Sequence, residues 1–335
     1  MSVKEKCLDR VLVVLADAGS IKPLLSWATL KSSEIGSLIV IANRDFFISK
    51  EFGITVHIMD DSTAVKLLDT FEPSFVLTGT SYPAGSFELR IIEACKSKNI
   101  SVSTYIDHWQ NFKARFMLQG NLIYPDEIWV IDQQAHDFAV SEGLSSSKLK
   151  IVGNPFFNML KNWRPVFGKH DFINTIGENL DSNYILYLPD FISGSNESSV
   201  IYGFDEFDVL DHIINFMEKD NYFESYTLVV KLHPSHTYEL FQKHIEKYHK
   251  ALNKKIIIIQ NVDIKSLGYF ASLIIGLFSM ALLEAQIINP AVVRFCPNLK
   301  IRDPLLHLIP NVVYTEQEFP LLFVENLNRS NSNIQ

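Results

Sequence analysis

The sequence predicts an α/β protein with two domains in series, each built on a parallel β-sheet covered by helices. The chain has 335 residues, whereas a single hydrophobic core rarely serves more than roughly 250–300 residues. Short β-branched apolar runs alternate with helical patterns, which is typical of parallel sheets buried on both faces. This alternation stops near residue 156 and restarts near residue 183. We therefore predict one Rossmann-like domain on each side of this gap.

The first predicted domain covers residues 1–155. Its strands are continuous apolar runs such as "RVLVVLAD", and its helices repeat apolar residues at helical spacing, as in "SIKPLLSWATL". Strands are predicted at 10–17, 36–43, 54–61, 73–80, 100–108, 126–132 and 148–155, and helices at 20–30, 63–71, 86–99 and from the sixth strand to 140.

Residues 156–182 lose the alternation and hold Pro165, Gly168 and Gly177, so we assign them to an interdomain linker. The second predicted domain covers 183–325, and a flexible tail covers 326–335. Its strands are predicted at 184–191, 226–234, 254–260, 272–278, 291–295 and 311–315, its helices at 204–220, 237–252, 264–271 and 279–288, and a polar loop at 192–199.

Composition narrows the class of protein. Hydrophobic residues make up 47% of the chain and charged residues 20%, and the formal net charge is -8. An acidic chain without a basic domain is a poor partner for nucleic acid. The cysteines, Cys7, Cys95 and Cys296, are widely spaced and match no metal pattern, which favours a reducing cytoplasm.

The most apolar segment, 269–288, has the length of a membrane span. Gly276 and Ser279 interrupt it and Glu284 lies inside it, so we predict a buried strand, a turn and a buried helix instead. At the N-terminus, the apolar run "VLVVLA" is shorter than the core of a signal peptide. We expect no transmembrane segment, and a cytoplasmic location that allows contact with the inner face of the membrane.

Candidate ligand-binding residues follow the strands, because ligands of open parallel sheets bind at the carboxyl ends of the strands. Two such domains facing each other would place these ends in a shared cleft. Neither a G-x-G-x-x-G fingerprint nor a P-loop is present, which argues against a dinucleotide-dependent dehydrogenase and a P-loop NTPase. The loops concerned are 17–20, 78–81, 107–109, 189–196, 233–236 and 278–280.

The segment "GLFSMALLEA" (276–285) predicts an anion site. A strand ends near Phe278 and a helix starts at Ser279, where free backbone N–H groups face outward. Glu284 could then reach sugar hydroxyls beside a phosphate held by Ser279 and Met280. The alternative is an ordinary serine N-cap, followed by a helix that exposes one glutamate.

The segment "LVVKLHPSH" (228–236) contains two histidines. His-x-x-His on a loop lacks helical metal-ligand spacing, and no acidic or cysteine cluster completes a metal site. His233 can instead donate to a departing phosphate oxygen, with Lys231 adding positive charge, or it can simply end a buried strand. We interpret His236 as incidental.

Together, "KLHP" and "GLFSMALLEAQIINPAVV" resemble the second domain of GT-B glycosyltransferases. The likeness is to bacterial surface-polysaccharide enzymes with His-Pro and Ser motifs, such as sialyltransferases, Kdo transferases and glycerophosphotransferases. The segment ending in "KLKIVGNP" resembles the end of a GT-B first domain. Asn289 stands where many of these enzymes carry glycine.

The resemblance implies a nucleotide-sugar donor, UDP- or CMP-linked, and a glycan or lipid-linked acceptor. The second domain would bind the donor and the first the acceptor. His233, with Lys231 and Pro234 beside it, would contact the nucleotide phosphate, Ser279 and Met280 would hold phosphate, and Glu284 would bind the ribose. No metal ion is expected.

A transferase also needs a base for the acceptor hydroxyl, and Asp17 and Asp107 both follow first-domain strands. Asp107 could equally be an N-cap, and Trp109 could either stack on a sugar or pack between domains. Thr80 and Ser81 could line the acceptor site or close a loop with their hydroxyls. The predicted acceptor-binding residues are Gly19, Ser20, Thr80, Ser81, His108, Trp109 and Arg115.

The leading prediction is thus a metal-independent GT-B glycosyltransferase of surface polysaccharide synthesis. One alternative is a nucleotide-sugar 2-epimerase or hydrolase of the same fold. The other is a non-catalytic, two-lobed sugar-binding protein.

Overall fold

A computed structural model describes residues 8–46, 52–82, 85–176, 183–194, 198–219, 221–248 and 255–332. The chain divides into two compact units, Met1–Met159 and Leu160–Gln335. The predicted α/β class is confirmed, because each unit is built on a sheet whose paired strands are all parallel.

The first unit contains a seven-stranded sheet of order β3-β2-β1-β4-β5-β8-β9 and a small antiparallel hairpin, β6-β7. The hairpin was not predicted. The strands are β1 Arg10–Leu15, β2 Ser37–Ala42, β3 Val56–Ile58, β4 Phe75–Thr78, β5 Ser101–Tyr105, β6 Met117–Leu118, β7 Asn121–Leu122, β8 Glu127–Val130 and β9 Leu149–Ile151. The helices are α1 Ala18–Leu30, α2 Asp61–Phe71, α3 Ser86–Ser97, α4 Gln133–Ser141 and α5 Pro155–Lys161, the last of which runs across the boundary between the units.

The second unit contains a six-stranded sheet of order β12-β11-β10-β13-β14-β15. Its strands are β10 Asn183–Leu188, β11 Tyr226–Lys231, β12 Ile256–Ile259, β13 Leu273–Gly276, β14 Val292–Phe295 and β15 Val312–Val313. Its helices are α6 Lys169–Ile176, α7 Ser198–Tyr202, α8 Glu206–Glu218, α9 Tyr238–Ile245, α10 Ile264–Phe270, α11 Met280–Ile288 and α12 Phe319–Ser332.

Both sheets reverse their strand order beside the first strand of the unit. β1 lies between β2 and β4, where Val13 pairs with Val40 on one side and Leu77 on the other. β10 lies in the same way between β11 and β13. In open α/β sheets the crevice beyond the carboxyl ends at such a reversal is the usual ligand site. The carboxyl edge of each sheet is therefore where functional side chains are expected.

The structure differs from the prediction mainly outside the sheets. Helices α5 and α6 occupy much of the segment assigned to a linker, while 177–182 lie outside the described residues. The tail was predicted to begin at 326, but α12 continues to Ser332 with Asn326 and Leu327 buried. This helix is held by aromatic contacts, since the ring of Phe323 lies 5.1 Å from that of Phe216. Within the described ranges, no helix combines the length and apolar character needed to cross a membrane.

Candidate active site

The start of α11 lies at the carboxyl edge of the second sheet, where β10 and β13 are neighbours. Ser279 is the N-cap, but its hydroxyl does not cap its own helix. Instead, the carboxylate of Asp190, just past β10, accepts a hydrogen bond from the Phe278 N–H at 2.6 Å and a further bond from the Ser279 side chain. Part of the predicted anion site is thus already filled by a carboxylate of the protein.

Asp190 was not singled out from the sequence, although its loop was. Burial raises the pKa of its carboxyl to about 6, against the opposing effects of the Phe278 N–H, Ser279 and the positive charge of Arg294. An aspartate two residues past the central strand of an open sheet is the signal that could have identified it.

The other residues predicted at this edge differ in their exposure and in their contacts with the protein. Ser279 and Met280 are half-buried at the helix start, and Glu284 is only 7% exposed, which excludes the alternative of a solvated glutamate. Lys231 donates to the backbone carbonyl of Gln260 at 3.2 Å, at the end of the neighbouring strand. Its ammonium is therefore engaged by the protein.

His233 lies in the loop after β11, beside the exposed Pro234. Its Nδ1 accepts a hydrogen bond from the Ser235 N–H at 3.1 Å, so the ring proton is on Nε2. The pKa of His233 is lowered to about 4 by desolvation and by the nearby His236 and Lys231, against the opposing effect of Glu206, although the residue as a whole is exposed. At neutral pH His233 is therefore an uncharged N–H donor.

The interpretation of His236 as incidental is wrong. Its side chain is fully buried, and its Nε2 lies 3.1 Å from a carboxylate oxygen of Glu206. Glu206 in turn accepts hydrogen bonds from the Ser193 N–H at 2.9 Å and O–H at 2.6 Å. Burial raises the pKa of Glu206, but the bonds from His236 and Ser193 outweigh burial and leave it lowered. Nothing in the sequence pattern distinguishes Glu206 from other acidic residues at helix starts.

The carboxyl edge of the first sheet gathers several residues that were predicted separately. Asp107 follows β5 and is 5% exposed. Its carboxylate lies against Gly19 in the first turn of α1, where an added β-carbon would come 1.9 Å from Oδ2. A side chain at position 19 would therefore have to displace this carboxylate.

Arg115 is the cation of this edge. It is 6% exposed, donates to the Thr80 hydroxyl at 3.2 Å and lies 3.8 Å from Oδ1 of Asp107. Burial nevertheless raises the pKa of Asp107 above its ordinary value. Burial and the charge of Arg115 lower the pKa of His108 to about 4. The edge thus combines a carboxyl group and an imidazole that are both shifted toward their neutral forms.

Glu88, on α3, was missed by the sequence analysis. It is 1% exposed, and one of its oxygens accepts a hydrogen bond from the Ser81 hydroxyl. Burial raises the pKa of Glu88, and the negative charge of Asp17 adds to this effect. A glutamate among the apolar positions of "FELRIIEAC" is the sequence signal for a buried carboxyl.

Two predicted residues have structural roles at this edge. Trp109 is 1% exposed and its indole N–H donates to both oxygens of Asp132, at 3.0 and 2.9 Å, so its face is not open to a sugar. Ser20 donates to the Asp17 carbonyl, and its hydroxyl fills the space where a β-carbon on Gly79 would lie, 2.1 Å away. Asp17 occupies the N-cap position of α1, but its side chain makes no capping hydrogen bond, so this position does not give it a structural role.

Three buried polar atoms at the first edge have no hydrogen-bond partner: Oε2 of Glu88, Oδ1 of Asp107 and Nδ1 of His108. Buried polar atoms are normally satisfied, so a cluster of exceptions indicates a site that a ligand completes. Among the residues that the structure describes, no group of three His, Cys, Asp or Glu side chains could hold a metal ion.

No protein-family model matches the sequence, and no curated protein matches it. Solved structures do match over nearly the whole chain. The UDP-GlcNAc 2-epimerase of Methanocaldococcus jannaschii aligns with a TM-score of 0.63 and 16% identity, over 96% of this chain and 91% of that one. The enzyme of Neisseria meningitidis, bound to UDP-GlcNAc, gives 0.63 and 15% over 95% and 93%. Anabaena HepE in complex with UDP gives 0.63 and 12% over 97% and 91%.

These likenesses show the fold: two Rossmann-like halves, as in GT-B proteins. They contradict the glycosyltransferase prediction, which is wrong. The 2-epimerases share the GT-B fold with glycosyltransferases, so the His-Pro and Ser motifs identified the fold and not the reaction. The alternative prediction, a nucleotide-sugar 2-epimerase, agrees better with the matching structures.

Proposed function

We propose that this protein is a nucleotide-sugar 2-epimerase acting on a UDP-linked 2-acetamido sugar. The observation that carries the proposal is the likeness of both halves of the chain, over 95–96% of its length, to UDP-GlcNAc 2-epimerases. UDP is favoured over CMP because matching structures contain UDP-GlcNAc or UDP.

The chemistry of the reaction sets the groups that are needed. The C2–H of such a sugar is not adjacent to a carbonyl, so its removal has to be coupled to departure of the C1 substituent. A base takes the C2 proton, the electron pair forms a C1=C2 double bond, and the C1–O bond breaks to release UDP. Return of UDP to C1, with protonation of the opposite face of C2, gives the epimer. The site therefore needs an acid–base pair and donors for the diphosphate.

The first sheet's carboxyl edge supports the acid–base part of the proposal. Asp107 and Glu88 are buried carboxyl groups whose pKa values are raised, and each keeps one oxygen without a hydrogen-bond partner. Raised carboxyl pKa values bring these groups closer to the operating pH, where general catalysis is most effective. We assign Asp107 as the leading acid–base candidate, with Arg115 holding its orientation at 3.8 Å.

The second sheet's carboxyl edge supports the binding of the diphosphate. His233 presents a neutral Nε2–H donor, and the start of α11 supplies the backbone N–H groups near Met280. The buried Glu284 is the candidate for the ribose hydroxyls. We therefore keep 183–325 as the proposed nucleotide-binding domain.

The test is incubation of the purified protein with UDP-GlcNAc in D₂O, followed by proton NMR. A 2-epimerase produces a second anomeric signal and incorporates deuterium at C2 in both epimers. Parallel samples with CMP-, GDP- and dTDP-linked sugars test the choice of base. The Asp107→Asn protein is the matched control for background exchange.

Absence of deuterium at C2, with the UDP-sugar intact, would overturn the proposal. Release of UDP and free sugar without a second UDP-linked epimer would instead favour the hydrolase. Tight binding without any turnover would favour the sugar-binding protein.

A further inference from the structure

Two loops at the carboxyl edge of the second sheet are joined by one buried carboxylate. The loop 189–194 follows β10 and the loop 232–236 follows β11. Glu206, the first residue of α8, bonds to both. It accepts two hydrogen bonds from Ser193 of the first loop and one from His236 of the second. Its side chain is fully buried, so these bonds are not exchanged for water.

His236 carries this connection on to the backbone of His233. Nδ1 of His236 accepts the His233 N–H at 3.1 Å, so the proton of the imidazole is on Nε2 and is donated to Glu206 at 3.1 Å. A carboxylate that fixes one imidazole tautomer is a common way of orienting a functional group. Here the oriented group is a loop backbone, and the side chain on that backbone is His233.

Aromatic contacts fix the His233 ring as well. The ring of Phe191 stacks on that of His233, with centroids 6.3 Å apart and planes 13° apart, and meets the ring of His236 edge-on at 5.2 Å. Phe191 lies so close to Gly194 that a β-carbon there would come 1.9 Å from the ring. The first loop is therefore connected to the second in two ways. One is the set of hydrogen bonds that Glu206 accepts from Ser193 and His236, and the other is the packing of the Phe191 ring.

We propose that Glu206 is a positioning residue that, through His236 and Ser193, holds His233 with its Nε2–H directed to the phosphate of a bound ligand. The proposal deepens the proposed function and rests on it for the identity of that ligand as a nucleoside diphosphate. The charge of Glu206 matters because its two oxygens receive three donors. A glutamine has one acceptor oxygen and would turn an N–H toward one of those donors.

The test compares Glu206→Gln with the unaltered protein by side-chain ¹⁵N NMR of histidine-labelled samples between pH 5 and 8. In the unaltered protein, we expect the Nε2–H tautomer of His233 and no titration in this range, because desolvation and the nearby His236 and Lys231 lower its pKa to about 4 against the opposing effect of Glu206. In Glu206→Gln, we expect mixed tautomers of the His233 ring, because the loop backbone is no longer held through His236, whereas loss of the Glu206 charge by itself keeps the pKa of His233 low. Glu239→Gln, an exposed carboxylate on α9, is the matched control and should change neither signal.

If Glu206→Gln stays folded and leaves the tautomer of His233 unchanged, Glu206 has only a stabilising role and the proposal is overturned. If that protein does not fold, Ser193→Ala carries the test, because it removes one donor and keeps the carboxylate. Mixed His233 tautomers in Ser193→Ala support the proposal, and an unchanged Nε2–H tautomer overturns it.

Calorimetric titration with UDP supplies the functional readout. We expect Glu206→Gln to weaken UDP binding about tenfold, as the loss of one well-oriented bond to a phosphate does. Unchanged affinity in a folded Glu206→Gln protein contradicts the positioning role. If the unaltered protein does not bind UDP at all, the proposed function fails, while the ligand-free NMR comparison still decides whether Glu206 positions His233.

Discussion

The two sheets share one pattern of strand order, yet their carboxyl edges treat buried charge in opposite ways. In the second unit two buried carboxylates are matched, since Glu206 accepts three hydrogen bonds and Arg294 meets both oxygens of Asp303 at 2.6 and 2.9 Å, whereas Asp190, with its raised pKa, resembles the first edge. In the first unit Glu88, Asp107 and His108 each keep a buried atom without a hydrogen-bond partner, although Arg115 lies 3.8 Å from Oδ1 of Asp107. Matched charges stabilise a loop, whereas unmatched ones are what a reaction site needs.

The difference has an electrostatic consequence. Glu206 and Asp303 have lowered pKa values despite burial, because their donors outweigh the loss of water. Asp107 and Glu88 have raised pKa values, because burial outweighs the charge of Arg115 and the hydroxyl of Ser81. If the comparison is correct, substitutions at the second edge should cost stability, and substitutions at the first should cost activity.

The largest effect is expected for Arg294→Met. Arg294 is completely buried, and its removal leaves the carboxylate of Asp303 buried without its cation. Loss of one partner from a buried pair costs roughly 3–5 kcal/mol of unfolding free energy. Urea denaturation of Arg294→Met and of the unaltered protein measures this loss of unfolding free energy.

Arg10→Met is the matched control, because the Arg10–Glu72 pair is exposed and lies at 3.3 Å. Exposed pairs contribute about 0–1 kcal/mol. If the two variants lose similar stability, the second edge is not held by its matched charges.

Asp107→Asn is expected to show the opposite pattern to Arg294→Met, with a large loss of activity and a small loss of stability. A misplaced or missing general acid or base lowers turnover by about 10²–10⁴, so 2-epimerisation of UDP-GlcNAc should fall by at least a hundredfold. The free energy of unfolding should fall by less than in Arg294→Met, because the Asp107–Arg115 pair is wider, at 3.8 Å, and a group with a raised carboxyl pKa gains little from ionisation in the folded protein. Asp45→Asn, on an exposed loop of the same unit, should alter neither quantity. Full activity in Asp107→Asn would remove Asp107 from the proposed mechanism.

The contrast also explains what could be predicted from the sequence. Apolar runs located the sheets, and the position after a strand located Asp107 and the His233 loop, because both signals are local in the chain. Glu206, Asp190 and Glu88 were missed, since their importance comes from tertiary contacts with Ser193, Phe278 and Ser81. Trp109 was assigned to a sugar because the sequence shows the residue type and not its burial.

Trp109→Phe tests whether the first edge also contains structural residues. The change removes the indole N–H that donates to Asp132. It also leaves a small cavity, because Trp109 is only 1% exposed. We expect a loss of about 1–2 kcal/mol in unfolding free energy. The KM for UDP-GlcNAc should stay within twofold, because the ring does not face a ligand. A rise in KM with unchanged stability would restore the predicted stacking role.

The smallest effect is expected for Glu88→Gln, and it depends on pH. Because the folded protein raises the pKa of Glu88 above the ordinary value of 4.5, the folded state binds the proton more tightly than the unfolded state. The free energy of unfolding of the unaltered protein therefore falls as pH rises from the pKa of Glu88 in the unfolded state through its raised pKa in the folded state.

Glutamine does not titrate, so Glu88→Gln should be more stable than the unaltered protein at pH 8, by on the order of 1 kcal/mol. This difference should vanish below pH 4.5. Thermal unfolding at several pH values measures it, with Glu72→Gln, an exposed carboxylate of the same unit, as the control. A glutamine variant that is less stable at pH 8 would mean that Glu88 is held ionised by partners, as Glu206 is, and the difference between the two edges would then be lost at this residue.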